Sequence, residues 1–108
     1  MTDAFKDREK GFETKYKLDQ ELEFKAVARR NKMLGLWAAE QFGLAGDAAE
    51  SYAKDVVVAD FEEAGDDDVL QKVLADFEQH GVEMSEHRLR KQMDELLEDA
   101  RAQVKAEA

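Results

Sequence analysis

This 108-residue chain contains no cysteine, so no disulfide braces it and no thiolate is available as nucleophile or soft metal ligand. That absence suits a reducing compartment, and the cytoplasm is the expected location. Proline is missing too, so nothing forces a helix to kink. Groups for chemistry are scarce: the serines are Ser51 and Ser85, the histidines are His80 and His87 with no second histidine at ligand spacing, and no glycine-rich phosphate loop is present. Neither an enzyme nor a metal protein is expected. No apolar run approaches the roughly 18 residues of a membrane span, and Met1–Lys6 lacks the apolar core of a secretory signal. Positive charge is short as well. The net charge is −10, and residues 47–86 hold thirteen acidic against two basic side chains while the rest is nearly balanced. A nucleic-acid partner, which needs a basic stripe to displace phosphate counterions, is excluded as the main one.

What the chain does contain is helical periodicity, broken by glycines. Gly43, Gly46, Gly65 and Gly81 separate four amphipathic stretches, whereas Gly11 and Gly35 fall inside helical patterns. The first helix is expected from about Leu18 to Phe42, with a core stripe at Leu22, Ala26, Met33, Leu34, Trp37 and Ala38, ended by Gly43 as a left-handed cap. The second is expected to be capped by Asp47 and to bury Ala49, Tyr52, Ala53, Val56, Val57 and Ala64 before Gly65. Its run Val56-Val57-Val58 favours strand locally, but the helical period on both sides outweighs it. Asp66 or Asp67 starts a short third helix with Val69, Leu70, Val73, Leu74 and Phe77, and Ser85 caps a fourth with Leu89, Met93, Leu96, Leu97, Ala100 and Val104. The acidic run Asp66-Asp67-Asp68 lacks the ordered spacing of a calcium loop and reads as helix-start charge. Connections this short imply antiparallel neighbours. The expectation is an all-α, antiparallel four-helix bundle over residues 18–108, preceded by a flexible segment, residues 1–17.

Helix 1 places Arg30 in the middle of its apolar arc, and helix 2 places Asp60 equally deep in its own. In a hairpin turning near Ala45 the two stand at the same height, and an Arg30–Asp60 ion pair is predicted; the alternative is an Arg30 that bends outward and covers only its stem. Arg29, Arg30, Lys32 and Trp37 form a positive patch beside an indole, a candidate for the phosphates of ADP or ATP as a regulatory ligand. The competing reading is an exposed basic face that pairs with the acidic helices.

In the N-terminal segment Phe5, Phe12 and Tyr16 recur at i, i+7 and i+11 and share one helical face, with Arg8 and lysines around them. Gly11 costs about 1 kcal/mol against helix there, so the segment is expected to gain structure when a groove covers its aromatic face. The other possibility is a plain extension of helix 1 packed on the bundle.

The strings Phe5-Lys6-Asp7-Arg8-Glu9-Lys10-Gly11-Phe12-Glu13 and Ala28-Arg29-Arg30-Asn31-Lys32-Met33-Leu34-Gly35-Leu36-Trp37-Ala38-Ala39-Glu40 resemble the zeta-type inhibitor family of alphaproteobacterial F-type ATP synthases. Val57-Val58-Ala59-Asp60-Phe61-Glu62-Glu63-Ala64-Gly65-Asp66 and Met93-Asp94-Glu95-Leu96-Leu97 extend the likeness over nearly the whole chain. The resemblance implies a four-helix bundle whose N-terminal segment enters a catalytic interface of the synthase's soluble head and blocks ATP hydrolysis on the cytoplasmic side of the membrane. Phe5, Arg8, Phe12 and Tyr16 are then the expected partner contacts. It also implies an association with adenine nucleotide. An adaptor bundle or a small nucleotide sensor are the other function classes open to such a chain.

Overall fold

Two glycines in left-handed backbone set the corners of the fold. Gly43 (φ 79°) follows the first helix, its N–H donating to the Glu40 carbonyl at 3.1 Å and that of Leu44 to the Ala39 carbonyl at 2.8 Å. Gly81 (φ 70°) repeats the arrangement, with Gly81 N–H on Glu78 and Val82 N–H on Phe77 at 3.1 and 2.9 Å. Both are the paired cap bonds that satisfy a helix's last carbonyls and turn the chain back, at φ values that L side chains avoid.

The computed structural model describes the backbone of residues 2–62 and 66–108 and the side chains of residues 19–60 and 66–108. Four helices follow in order: α1 Thr2–Gln41, α2 Gly46–Glu62, α3 Asp66–Gln79 and α4 Glu86–Glu107. The three-valine run lies inside α2, as its flanking period predicts. Asp47 falls within the first turn of α2, not before it, where its charge still meets the helix's positive end. Ser85 caps α4 as expected, its hydroxyl accepting from the Arg88 N–H at 3.1 Å in extended backbone. The expected α2 stop at Ala64 and Gly65 lies outside the described residues.

Packing follows the predicted stripes. Leu34, Ala38, Val56, Val69, Leu70, Val73, Phe77, Leu89 and Met93 form the main core, drawn from all four helices. Aromatics close one end: the Phe42 ring meets Phe77 edge-on at 4.7 Å and Tyr52 at 5.4 Å, Trp37 tilts against Phe77 at 5.7 Å, and the His80 imidazole stacks on Phe42 at 4.2 Å. The Tyr52 hydroxyl donates to Asp76 at 2.8 Å; burial first, and then that carboxylate, push its pKa upward.

A second cluster, Ala26 with Ala100 and Val104, flanked by Leu22, Met33 and Leu97, joins α1 to the far end of α4. Because Leu34 meets the start of α4 and Ala26 its end, these two helices run antiparallel, the sense that short connections dictate for an up-and-down bundle. The α1–α2 seam is unusually close: a Cβ at Gly35 would lie 2.5 Å from the Cα of Ala53. Only glycine lets the two backbones approach so nearly.

Candidate partner-binding site

The first helix begins at Thr2, not at about Leu18, and runs unbroken through Gly11. Forty residues at 1.5 Å each come to about 60 Å, against about 33 Å for the 22 residues of α4. The molecule's longest dimension, 66 Å, is therefore set by α1. The side chains of Phe5, Arg8, Phe12 and Tyr16 lie outside the described residues, so the contacts expected of them, like the division at residue 17, are carried below as part of a proposal.

Where α1 joins the bundle, two bidentate ion pairs tie it to the last turns of α4. Arg101 grips Glu23 through Nε and Nη2 at 3.0 and 2.7 Å, and Arg29 grips Glu107 at 2.6 and 2.8 Å. The Arg101 hydrogen bond holds the Glu23 carboxyl below its ordinary range, and the Arg29 hydrogen bond does the same for Glu107. Both guanidiniums are pushed the opposite way. The pairs are exposed and individually weak, but each has the two-point geometry that fixes orientation as well as distance.

Arg30 is buried, 1% exposed, in the apolar arc, but its partner is not Asp60. Its Nη2 donates to Oδ1 of Asp66 at 2.7 Å and its Nε to Oδ1 of Asn31 at 2.7 Å. Matching height along two antiparallel helices does not fix the direction in which a side chain points around its own helix. The third helix brings Asp66 over the guanidinium, a position that no argument from two helices contains. The Asn31 Nδ2 beside it is buried with no hydrogen-bond partner among the described residues.

The four residues considered for a nucleotide have different surroundings. Arg29 is engaged by Glu107, Arg30 is buried on Asp66, and Lys32 is exposed on the groove between α1 and α2. Trp37, half-buried on Phe77, lines a different hollow with Met84, Arg88, Lys91, Gln92 and Glu95. No cluster of three or more potential metal ligands exists among those residues, and none of the described helices is long and apolar enough to cross a membrane. Sequence reasoning missed Asn31 and the Arg101–Glu23 and Arg29–Glu107 pairs; the signal available was acidic and basic residues flanking the Ala26 and Val104 stripes.

The model for ATPase inhibitor subunit zeta matches residues 1–103. A solved solution NMR structure is 47% identical and superposes with a TM-score of 0.69, the match covering 81% of this chain and 99% of that one. No curated protein matches. The family match spans nearly the whole of this four-helix chain, and the chain belongs to the ATPase inhibitor subunit zeta family.

Proposed function

We propose that this protein inhibits ATP hydrolysis by an F-type ATP synthase by inserting residues 1–17 into a cleft at a catalytic subunit interface of the soluble head, on the cytoplasmic side of the membrane. The observation that carries the reading is the length of α1: one helix of 40 residues from Thr2 to Gln41, against 22 residues in α4, the next longest. Membership of an inhibitor family supplies the class of partner. In this reading Phe5, Phe12 and Tyr16, which share one face of the helix, fill apolar pockets, while Arg8 and the neighbouring lysines meet acidic groups at the rim. The bundle is the handle. Arg101–Glu23 and Arg29–Glu107 fix the base of the projecting helix, which lowers the ordering cost of insertion. No bond is made or broken by the inhibitor, and no cofactor is called for; occupation of the cleft stalls the rotary cycle.

Removal of residues 1–17 tests this. The shortened protein should keep the helicity and cooperative melting of the bundle and lose inhibition of ATP hydrolysis by purified synthase. Full inhibition by a folded, shortened protein would overturn the proposal.

A further inference from the structure

The acidic stretch 47–86 contains just two cations, Lys54 and Lys72. Lys72 is neutralised, bonding Asp76 at 3.1 Å with its Nζ 5.5 Å from the centre of the Tyr52 ring. Lys54 makes no ion pair among the described residues, although carboxylates crowd its own helix. Across the seam Lys32 of α1 is likewise exposed and unpaired among those residues. The two line one groove of about 290 Å³ between α1 and α2, with Ala53, Val57 and Val58 as apolar lining and Glu50 beside Lys54. Val58 is 54% exposed, one of two large apolar side chains so exposed among the described residues. An apolar trough with a cation on each helix, in a chain whose field is otherwise negative, is complementary to an amphipathic segment that carries carboxylates beside apolar side chains. A basic or purely apolar ligand would leave both lysines unanswered.

We infer that the α1–α2 groove is a second docking surface, which takes an acidic amphipathic helix of the inhibited ATPase and tethers the bundle while the N-terminal segment inserts. The inference rests on the reading that the ATPase head is the partner. The groove accepts only one or two anchoring side chains, so it binds weakly alone. Joined through α1 to the inserting segment, it raises that segment's local concentration at the cleft. Its lysines lie on the surface, so its contribution should fade with added salt.

The test uses the full-length chain and the purified soluble head of the ATP synthase. The K32E/K54E variant, and separately Val58→Asp, should bind about tenfold or more weakly. At saturating protein the ATPase rate should still fall to the same floor, and the charge variant should show a flatter dependence of affinity on ionic strength. K32R/K54R should behave as the parent. Unchanged affinity in both disruptive variants, or a floor that rises with them, would overturn the tether. A third variant, F5A/F12A/Y16A, separates the two readings. Weak residual binding without inhibition that K32E/K54E abolishes supports an independent groove contact, and residual binding that K32E/K54E leaves unchanged overturns it. Full inhibition by that variant counts against N-terminal insertion, leaving the groove to be judged by the lysine and valine variants.

Discussion

Arg30 and Asp66, 36 residues apart, form a half-buried ion pair: the arginine side chain is 1% exposed, the aspartate 56%, and Nη2 donates to Oδ1 at 2.7 Å. One charge is fully withdrawn from water and the other keeps half its hydration, so loss of the aspartate strands the arginine more severely than the reverse. Asp66→Asn should therefore destabilise the bundle by about 2 kcal/mol, a discount on the cost of orphaning a fully buried charge because water still reaches the site. Arg30→Met, which removes the charge and keeps much of the volume, should be milder. Urea unfolding followed by circular dichroism measures both; an Asp66→Asn protein as stable as its parent would show that the pair contributes nothing.

Gly35→Ala sets helix propensity against packing. Alanine is the better helix former by about 1 kcal/mol, yet its Cβ would stand 2.5 Å from the Ala53 backbone, which cannot rotate away. Overpacking costs of about 1–3 kcal/mol should win, and the melting temperature should fall. A rise would mean that the α1–α2 seam opens at little cost.

The clamps between α1 and α4 predict an acid limit for that contact. The hydrogen bonds from Arg101 and Arg29 hold the folded-state pKa values of Glu23 and Glu107 below the ordinary glutamate range. A lowered carboxylate pKa gives stability that is present above the unfolded value and lost as pH falls through the folded one. The contribution should be constant through neutral pH, begin to fall as the pH enters the ordinary glutamate range, and be gone only below the lowered folded-state values. Comparing unfolding at pH 7 and pH 3 for the parent and for R29Q/R101Q should show a smaller acid loss in the variant. An equal loss would assign the acid sensitivity to other carboxylates.

Ser85→Ala removes the acceptor for the Arg88 N–H at the start of α4 and should cost about 1 kcal/mol. Phe77→Ala, which empties the site where Trp37 and Phe42 meet, should cost about 3–4 kcal/mol and shift Trp37 fluorescence. The order of these two values, read from chemical denaturation, separates a local cap from the shared core.

Much of the bundle could be read from neighbouring residues because the forces concerned act over one or two turns. The caps at Gly43, Gly81 and Ser85 depend on backbone groups within five residues, and the stripes Val69-Leu70-Val73-Phe77 and Leu89-Met93-Ala100-Val104 repeat at the helical period. Arg30's place on an apolar face was legible for the same reason. The start of α1 was not: Gly11 weakens helix by about 1 kcal/mol locally, and helical residues on both sides carry the element through it.

The sequence by itself determined that the chain is helical, where three of its helices end or begin, which faces they bury, and that an arginine stands in the middle of an apolar face, since each follows from spacing along one helix. Only the tertiary structure decided that Asp66 answers Arg30, that Arg101 and Arg29 clamp α1 to α4, that Lys32 and Trp37 line different hollows, and that Lys32 and Lys54 share a groove. Those relationships depend on how helices are rotated about their own axes and which third helix closes over a pair. That is settled by packing among residues distant in the chain, and no local period encodes it.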